Sequence, residues 1–372
     1  MKRQGGFSMV ELMVAITLAL LLTGAVISVF VGSRTAFQAT AGVGEMSDSG
    51  RFALNLIGES VRSAGNLACN SAMTATSQNV SGGLPFENSF GQGVEGFEAN
   101  GANGTGNPVG TLTLPAVPVV GAANNWTPNL DGTFVANATV PAGVPAGLGQ
   151  PVKGSDVLVV RSSTPRVAPA YTTVDALPNA TTLTVTPVSA AINNNGYAAV
   201  ADCTKSVIFQ ASGGVAAGAT VVTLNNPLQG VGFSAGAVVA PLTTTVYYIG
   251  VGSDGDSSLW RLEQLNGGPG FNPLGPEELV PDVENMQVLY GIDPSGTQTA
   301  SAYVTGDTAQ ALGFNVVSIQ VALLVASQPT TREIPQPAAG FYTLLGNQVT
   351  VPVDNRMRQV FYATINLRDA VN

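Results

Sequence analysis

Residues Phe7 to Val31 read FSMVELMVAITLALLLTGAVISVFV, a 25-residue run with one charged side chain, Glu11. As a helix, a run of that length crosses the hydrocarbon core of a bilayer. This run fixes the architecture more than any other feature, because everything after it is tethered to one apolar rod. Lys2 and Arg3 precede it and place the N-terminus in the cytoplasm. A secretory signal would carry its small-residue cleavage site after the apolar run. Here the small residues, Gly5 and Gly6, come before it. Cleavage at that point removes a basic leader, residues 1–6, and keeps the helix. A carboxylate inside a membrane span is costly and is as a rule functional and paired. The plainer alternative for Glu11, close to the helix end, is snorkelling to the interface.

The helix has no early stop, since the first proline is Pro85. Residues 32–66 continue it in a more polar, amphipathic form. Ala53, Leu56, Ile57, Ser60, Val61 and Ala64 fall at helical spacing, a stripe suited to packing on a sheet. Arg51, Glu59 and Arg62 fall outside that stripe. Gly42, Gly44 and Gly50 weaken the middle and are expected to allow bending. Gly65 is placed to end the helix. From Phe7 to Ala64 such a rod is about 87 Å long.

From about residue 67 the pattern changes to short β-rich runs punctuated by Gly, Pro and Asn. The expected strands lie in TLTLPAVPVV (111–120), SDVLVVRSS (155–163), TTLTVTPV (181–188), SVIFQ (206–210) and ATVVTL (219–224). Further ones lie in TTTVYYIGV (243–251), SLWRLEQL (258–265), NMQVLYGI (285–292), NVVSIQVALLVAS (315–327) and RQVFYATINL (358–367). YYIGVGSDGDSSLWRL reads as a hairpin with a Gly-Asp turn. No internal repeat stands out, and residues 71–150 show weak periodicity. The expected fold is α+β: one long N-terminal helix on an antiparallel sheet, with residues 67–372 as a single β-rich domain.

The chain has no histidine, which removes the Ser-His-Asp triad, the Cys-His pair and imidazole metal ligands. Its Gly-rich stretches lack the helical sequel of a phosphate loop. The formal charge of −9, without any Lys/Arg cluster, disfavours nucleic acid as a partner. Asp254, Asp256 and Ser258 alternate as in a calcium loop, but Leu259 and Leu265 stand where an EF-hand needs Gly and Glu. A solvated turn is the better reading. Tyr247, Tyr248 and Trp260 are read as core rather than as a binding patch. No catalytic residue, cofactor or metal is expected.

GGFSMVELMVAITL resembles the class III signal of type IV prepilins and type II secretion pseudopilins. The resemblance implies cleavage by a prepilin peptidase between Gly6 and Phe7, and N-methylation of Phe7. It implies an assembly role for Glu11, the fifth residue of the processed chain. SGRFALNLIGESVRSAGNLAC, GSDVLVVRSS, ADCTKSVIFQ, VENMQVLYGID and RQVFYATINLRD are similar to the PilW family of minor pilins. That resemblance implies pilus assembly or initiation in a tip or priming complex, as a structural protein rather than an enzyme. The implied partners are the peptidase, other minor pilins, the major pilin, inner-membrane lipid and a PilY-type tip adhesin. It further implies an inner-membrane protein with a periplasmic domain that passes to the pilus. A J-type pseudopilin and a tip adhesin or DNA-uptake receptor are the alternatives.

Cys69 and Cys203 are the two cysteines. In an oxidising compartment they read as one disulfide, and their LAC and ADC contexts resemble the cysteine positions of the PilW family. Closing so long a loop contributes about 4–5 kcal/mol in the chain-entropy model. Two separate buried thiols are the alternative.

Overall fold

The computed structural model describes residues 8–68, 70–71, 77–79, 89–100, 110–130, 148–163, 167–202, 204–265, 275–311, 316–328, 340–354 and 356–367. The main elements, in chain order, begin with helix α1 (Met9–Arg62) and strands β1 (Val94–Ala99), β2 (Val157–Ser163), β3 (Tyr197–Asp202) and β4 (Lys205–Gln210). Next come β5 (Val238–Val251), β6 (Ser257–Leu265), β7 (Glu277–Pro281) and β8 (Val283–Ile292). A short helix α2 (Gly306–Ala311) and strands β9 (Val316–Ala326) and β10 (Arg358–Asn366) complete them.

Helix α1 is continuous, and it divides into two halves by environment. Ser8 to Arg34 is exposed throughout. Beyond it, Gly42, Met46, Gly50, Ala53, Ile57 and Val61 are buried, a stripe at three- and four-residue spacing. Of the expected stripe, Leu56 and Ser60 are only half-buried, while Arg51, Glu59 and Arg62 are exposed as expected. The glycines act differently from the expectation of bending. Gly42 and Gly50 are buried with the stripe, and Gly50 lets the helix backbone lie directly on the ring of Phe361 in β10. At the other end Gly65 takes φ +77 and donates its N–H to the Arg161 carbonyl at 2.8 Å. Gly93 presses against Gly65 so closely that a Cβ would meet its backbone. The buried Arg161–Glu95 ion pair, at 2.6 Å, closes the same corner.

Two sheets meet beneath this half of α1. The first is organised around β5. Its opening residues pair with β3, and its later residues pair with β2 on one side and β6 on the other. β1 adds to β2, β7 to β6 and β4 to β3, all antiparallel. The second sheet runs Ala302–Val304, β8, β9, β10, also antiparallel. Ile319, Val321, Leu323 and Val325 of β9 join the core under α1. Ala322 and Leu324 point the other way, against Leu344, Val349 and Val351 of a second layer. Strand β9 is therefore apolar on both faces, which is why its sequence reads as a nearly unbroken run. Ser60 Oγ and Tyr247 Oη, 2.6 Å apart, tie α1 to β5.

The expected hairpin is present as β5–β6, its turn held by Gly255 at φ +90. Tyr247, Tyr248 and Trp260 are buried in it. The run 111–120 forms a strand only over Thr111–Thr113. Pro115 and Pro118 follow and cannot donate to a ladder.

Residues 170–239 form a lobe with its own core, which includes Leu183, Val185, Ile192, Val222, Leu224 and Phe233. This lobe contains a repeat that the sequence did not disclose. The Thr173 N–H to Thr184 carbonyl bond recurs as Ser212 to Thr223, and Thr186 to Tyr171 recurs as Asn225 to Gln210. The Thr172–Val185 bridge recurs as Ala211–Leu224. The two halves exchange segments: Ala176 bridges Phe233 while Val215 bridges Ile192. At their junction Thr182–Thr184 pairs antiparallel with Val221–Thr223, the equivalent segment of the other half. The halves share ATTLT and ATVVT at this junction and few other identities.

Candidate functional site: an apolar helix with one carboxylate

The helix begins with a capping box. Ser8 Oγ accepts the Val10 N–H at 3.4 Å, and Glu11 Oε2 accepts the Ser8 N–H at 3.0 Å. Glu11 thus lies in the first turn, where the helix dipole favours an anion, and folds back toward the residue that follows Phe7. Downstream of it Thr17, Thr23 and Ser28 direct their hydroxyls to carbonyls of their own helix. The exposed surface from there to Val31 is otherwise aliphatic, with Phe30 near its end. The helix is long and apolar enough to cross a membrane. Chemically this end of the molecule offers one carboxylate on an apolar rod, and no group beside it to act as acid, base or nucleophile among the described residues. Gly6, Phe7, Cys69 and Cys203 lie outside the described residues.

Among the described residues of the domain, carboxylates gather at two places. Asp254, Asp256 and Asp282 bring carboxylate oxygens within 4.8 Å of one another. The Arg356 guanidinium lies among them, 2.9 Å from Asp256 and also paired with Asp282. Burial pushes the Asp282 carboxyl up to about 6, against the pull of Arg356. Arg356 supplies the positive charge there, and the loop Gly252–Asp256 closes by its own backbone bonds, Gly252 N–H to the Asp256 carbonyl at 2.6 Å. Arg358 makes a parallel set of ion pairs with Glu284 and Asp354. These arrangements fix the end of the chain to β6, β7 and β8 and leave the solvated-turn reading in place.

The second cluster went unnoticed in the sequence. Asp156, just before β2, is fully buried. It accepts the Ala99 N–H of β1 at 3.0 Å and the Val288 N–H of β8 at 2.9 Å, one per carboxyl oxygen. It therefore links the two sheets. Burial pushes its carboxyl up to about 7, the Asp307 carboxylate adds to this, and the two backbone bonds oppose it. The only signal in the sequence was an aspartate set directly against the apolar VLVV of β2.

An apolar N-terminal helix, half free and half docked on antiparallel sheet, is the α+β arrangement that the sequence led one to expect. Residues 1–27 match the model of the prokaryotic N-terminal methylation motif, and residues 246–369 match that of Type IV Pilus-assembly protein W. The second match runs from β5 through β10 and so includes the sheet on which α1 rests. No match was found among curated proteins or among solved structures. The two matches together support a PilW-type pilin, a minor pilin of type IV pili of the kind processed by prepilin peptidase. Pilin families of this kind are structural.

Proposed function

We propose that this pilin acts in the initiation of type IV pilus assembly, in a tip or priming complex. The observation that carries the reading is the free half of α1, an exposed aliphatic rod with Glu11 at its first turn. In the membrane, residues 7–31 span the lipid, residues 1–6 are the leader, and residues 67–372 form the periplasmic domain. Cleavage between Gly6 and Phe7 creates an α-amino group on Phe7, which is then methylated. Glu11 bonds the Ser8 N–H, so its carboxylate is held in the first turn, at the end of the helix where cleavage creates that cation. On assembly it pairs with the N-terminal amine of a neighbouring subunit in a low-dielectric helix bundle. A desolvated pair with one partner missing costs about 3–5 kcal/mol, which enforces the stagger between subunits. The partners in this reading are other minor pilins, the major pilin and a PilY-type adhesin at the tip of the fibre.

The test is the number of surface pili, counted by electron microscopy in a clean deletion strain, in a background where retraction is blocked. Loss of pili, restored by the gene, is the expected result. Normal pilus number in that background overturns the initiation role.

A further inference from the structure

The two sheets meet at a corner where buried carboxyl groups face one another. The β1–β2 register pairs Gly96 with Leu158 and Phe97 with Val157, so the next step sets Glu98 against Asp156. Both are buried. Side chains directly opposite on one face of an antiparallel pair have Cβ atoms about 4.5–5.5 Å apart, and two like charges there repel. Among the described residues, the titratable and charged groups around Asp156 are Glu95 and Glu98 of β1, Arg161 of β2, Tyr290 of β8 and Asp307 of α2. Arg161, the base among them, pairs with Glu95 at 2.6 Å. Tyr290 occupies the space that a Gly96 side chain would need, and Gly306 of α2 rests on the Gly96 backbone. Glu98, two residues on, projects from the same face of β1 as that missing side chain. The Tyr290 hydroxyl therefore lies among the acids, and Asp156, Glu98 and Glu95 all act to keep it protonated, after burial itself. Tyr290 is 2% exposed, and its Oη makes no hydrogen bond. A buried hydroxyl left in that state forfeits a bond it had in water.

Asp156 fixes the closed form of this corner. Its two oxygens accept the Ala99 N–H of β1 and the Val288 N–H of β8, one from each sheet. Burial pushes its carboxyl up to about 7, and Asp307 adds to this. An exposed aspartate releases its proton near 3.9. The closed corner therefore holds a proton that an opened one gives to solvent. Between those two values each pH unit favours opening by up to tenfold, and the effect levels off above about pH 7. Once the proton has gone, two carboxylates stand opposite one another in a buried place, with one unbonded hydroxyl beside them.

We propose that Asp156 and Glu98 form a carboxyl–carboxylate pair that latches β1 and α2 onto β8 while it holds a proton, and frees them when the proton is lost. In the freed form the Tyr290 hydroxyl donates to one of the two carboxylates. The latch does not depend on the pilin reading. Its test is hydrogen exchange, followed by mass spectrometry, on the full-length protein in detergent at pH 5 and pH 8. Protection is taken relative to intrinsic exchange at each pH. From pH 5 to pH 8, protection of peptides over β1 and α2 should fall at least tenfold more than that of peptides over β9. Glu98→Gln replaces one carboxylate by an amide that donates to the other, and should cut this difference below threefold. Tyr290→Phe removes a hydroxyl that bonds nothing in the closed form. It should match wild type at pH 5 and lose further protection at pH 8. Equal changes over β1 and β9 in wild type overturn the latch. A tenfold difference that survives Glu98→Gln assigns the titration to Asp156 alone and overturns the pair. If Glu98→Gln does not fold, Tyr290→Phe decides, and protection equal to wild type at pH 8 overturns the freed form and the latch with it.

Discussion

Gly50 of α1 and Phe361 of β10 touch so closely that a Cβ on Gly50 would fall 2.6 Å from the ring Cγ. That contact sets the distance between the helix and the sheet that carries it. Gly50→Val forces either the ring or the helix to move. Overpacking of this kind costs about 1–3 kcal/mol. In detergent-solubilised full-length protein we expect a lower melting temperature and earlier proteolysis near the middle of α1. Gly44→Ala is the control, because a Cβ there meets open space, and it should be neutral or slightly stabilising.

Asp156 makes stability depend on pH in a direction opposite to most aspartates. Its folded-state value, pushed up to about 7 by burial, lies above the unfolded value near 3.9. The folded state therefore holds a proton that the unfolded state releases. The contribution is fully present below about pH 4 and is lost as pH rises from there to about 7. Across that window the limiting slope is about 1.4 kcal/mol per pH unit. Asp202, Asp293 and Asp354 are held low by their hydrogen bonds and pull the other way in acid, so the informative quantity is a difference. Asp156→Asn should lose one of the two backbone bonds and with it some stability at pH 5. Denaturant unfolding of wild type and variant at several pH values should show the gap narrowing toward pH 8. A gap that stays constant with pH refutes the protonated carboxyl.

The proposed bridge between Cys69 and Cys203 is checked by thiol labelling under denaturing conditions. We expect no labelled thiol before reduction and two after it. Support comes from the residues beside them. Leu67 shares a buried cluster with Tyr197, Ala199 and Ile208, on the two strands that flank Cys203. Cys203→Ser should lower stability by about 4 kcal/mol if the loop-entropy model holds. Two thiols labelled without reduction would exclude the bridge.

What was legible in the sequence was local. The apolar run, the stripe through Ala53, Ile57 and Val61, and the β5–β6 hairpin each express a period or a turn that neighbouring residues define. What escaped depended on partners distant in the chain. Gly50 looks like a weak point in a helix until Phe361 is placed on it. Asp156 looks like a surface residue ahead of a strand until Ala99 and Val288 are brought to its two oxygens. The repeat in the lobe escaped for a different reason. Its halves conserve a pattern of burial and backbone bonds, which valine, leucine, isoleucine and phenylalanine satisfy equally, so few identities remain to be seen. At the N-terminus the sequence placed Glu11 on the helix, and the structure adds its bond to Ser8.

That bond separates two roles for Glu11. As a cap it accepts one N–H, which any acceptor at the third helical position does, and losing it costs about 1 kcal/mol in water. As a charge it answers the amine that cleavage exposes on Phe7. Glu11→Gln keeps an acceptor for the Ser8 N–H and removes the charge, whereas Glu11→Ala removes both. If the charge matters, both variants should insert in the membrane and reach the processed mass, with six residues removed and one methyl added. Both should then enter pili at least tenfold less than wild type. If the cap alone matters, Glu11→Gln should assemble normally and Glu11→Ala should not. Intact mass of the membrane fraction and quantitative blotting of sheared pili distinguish the two. We expect Glu11→Gln to fail with Glu11→Ala, because a neutral amide leaves the neighbour's amine uncompensated in an apolar bundle, the costlier of the two losses.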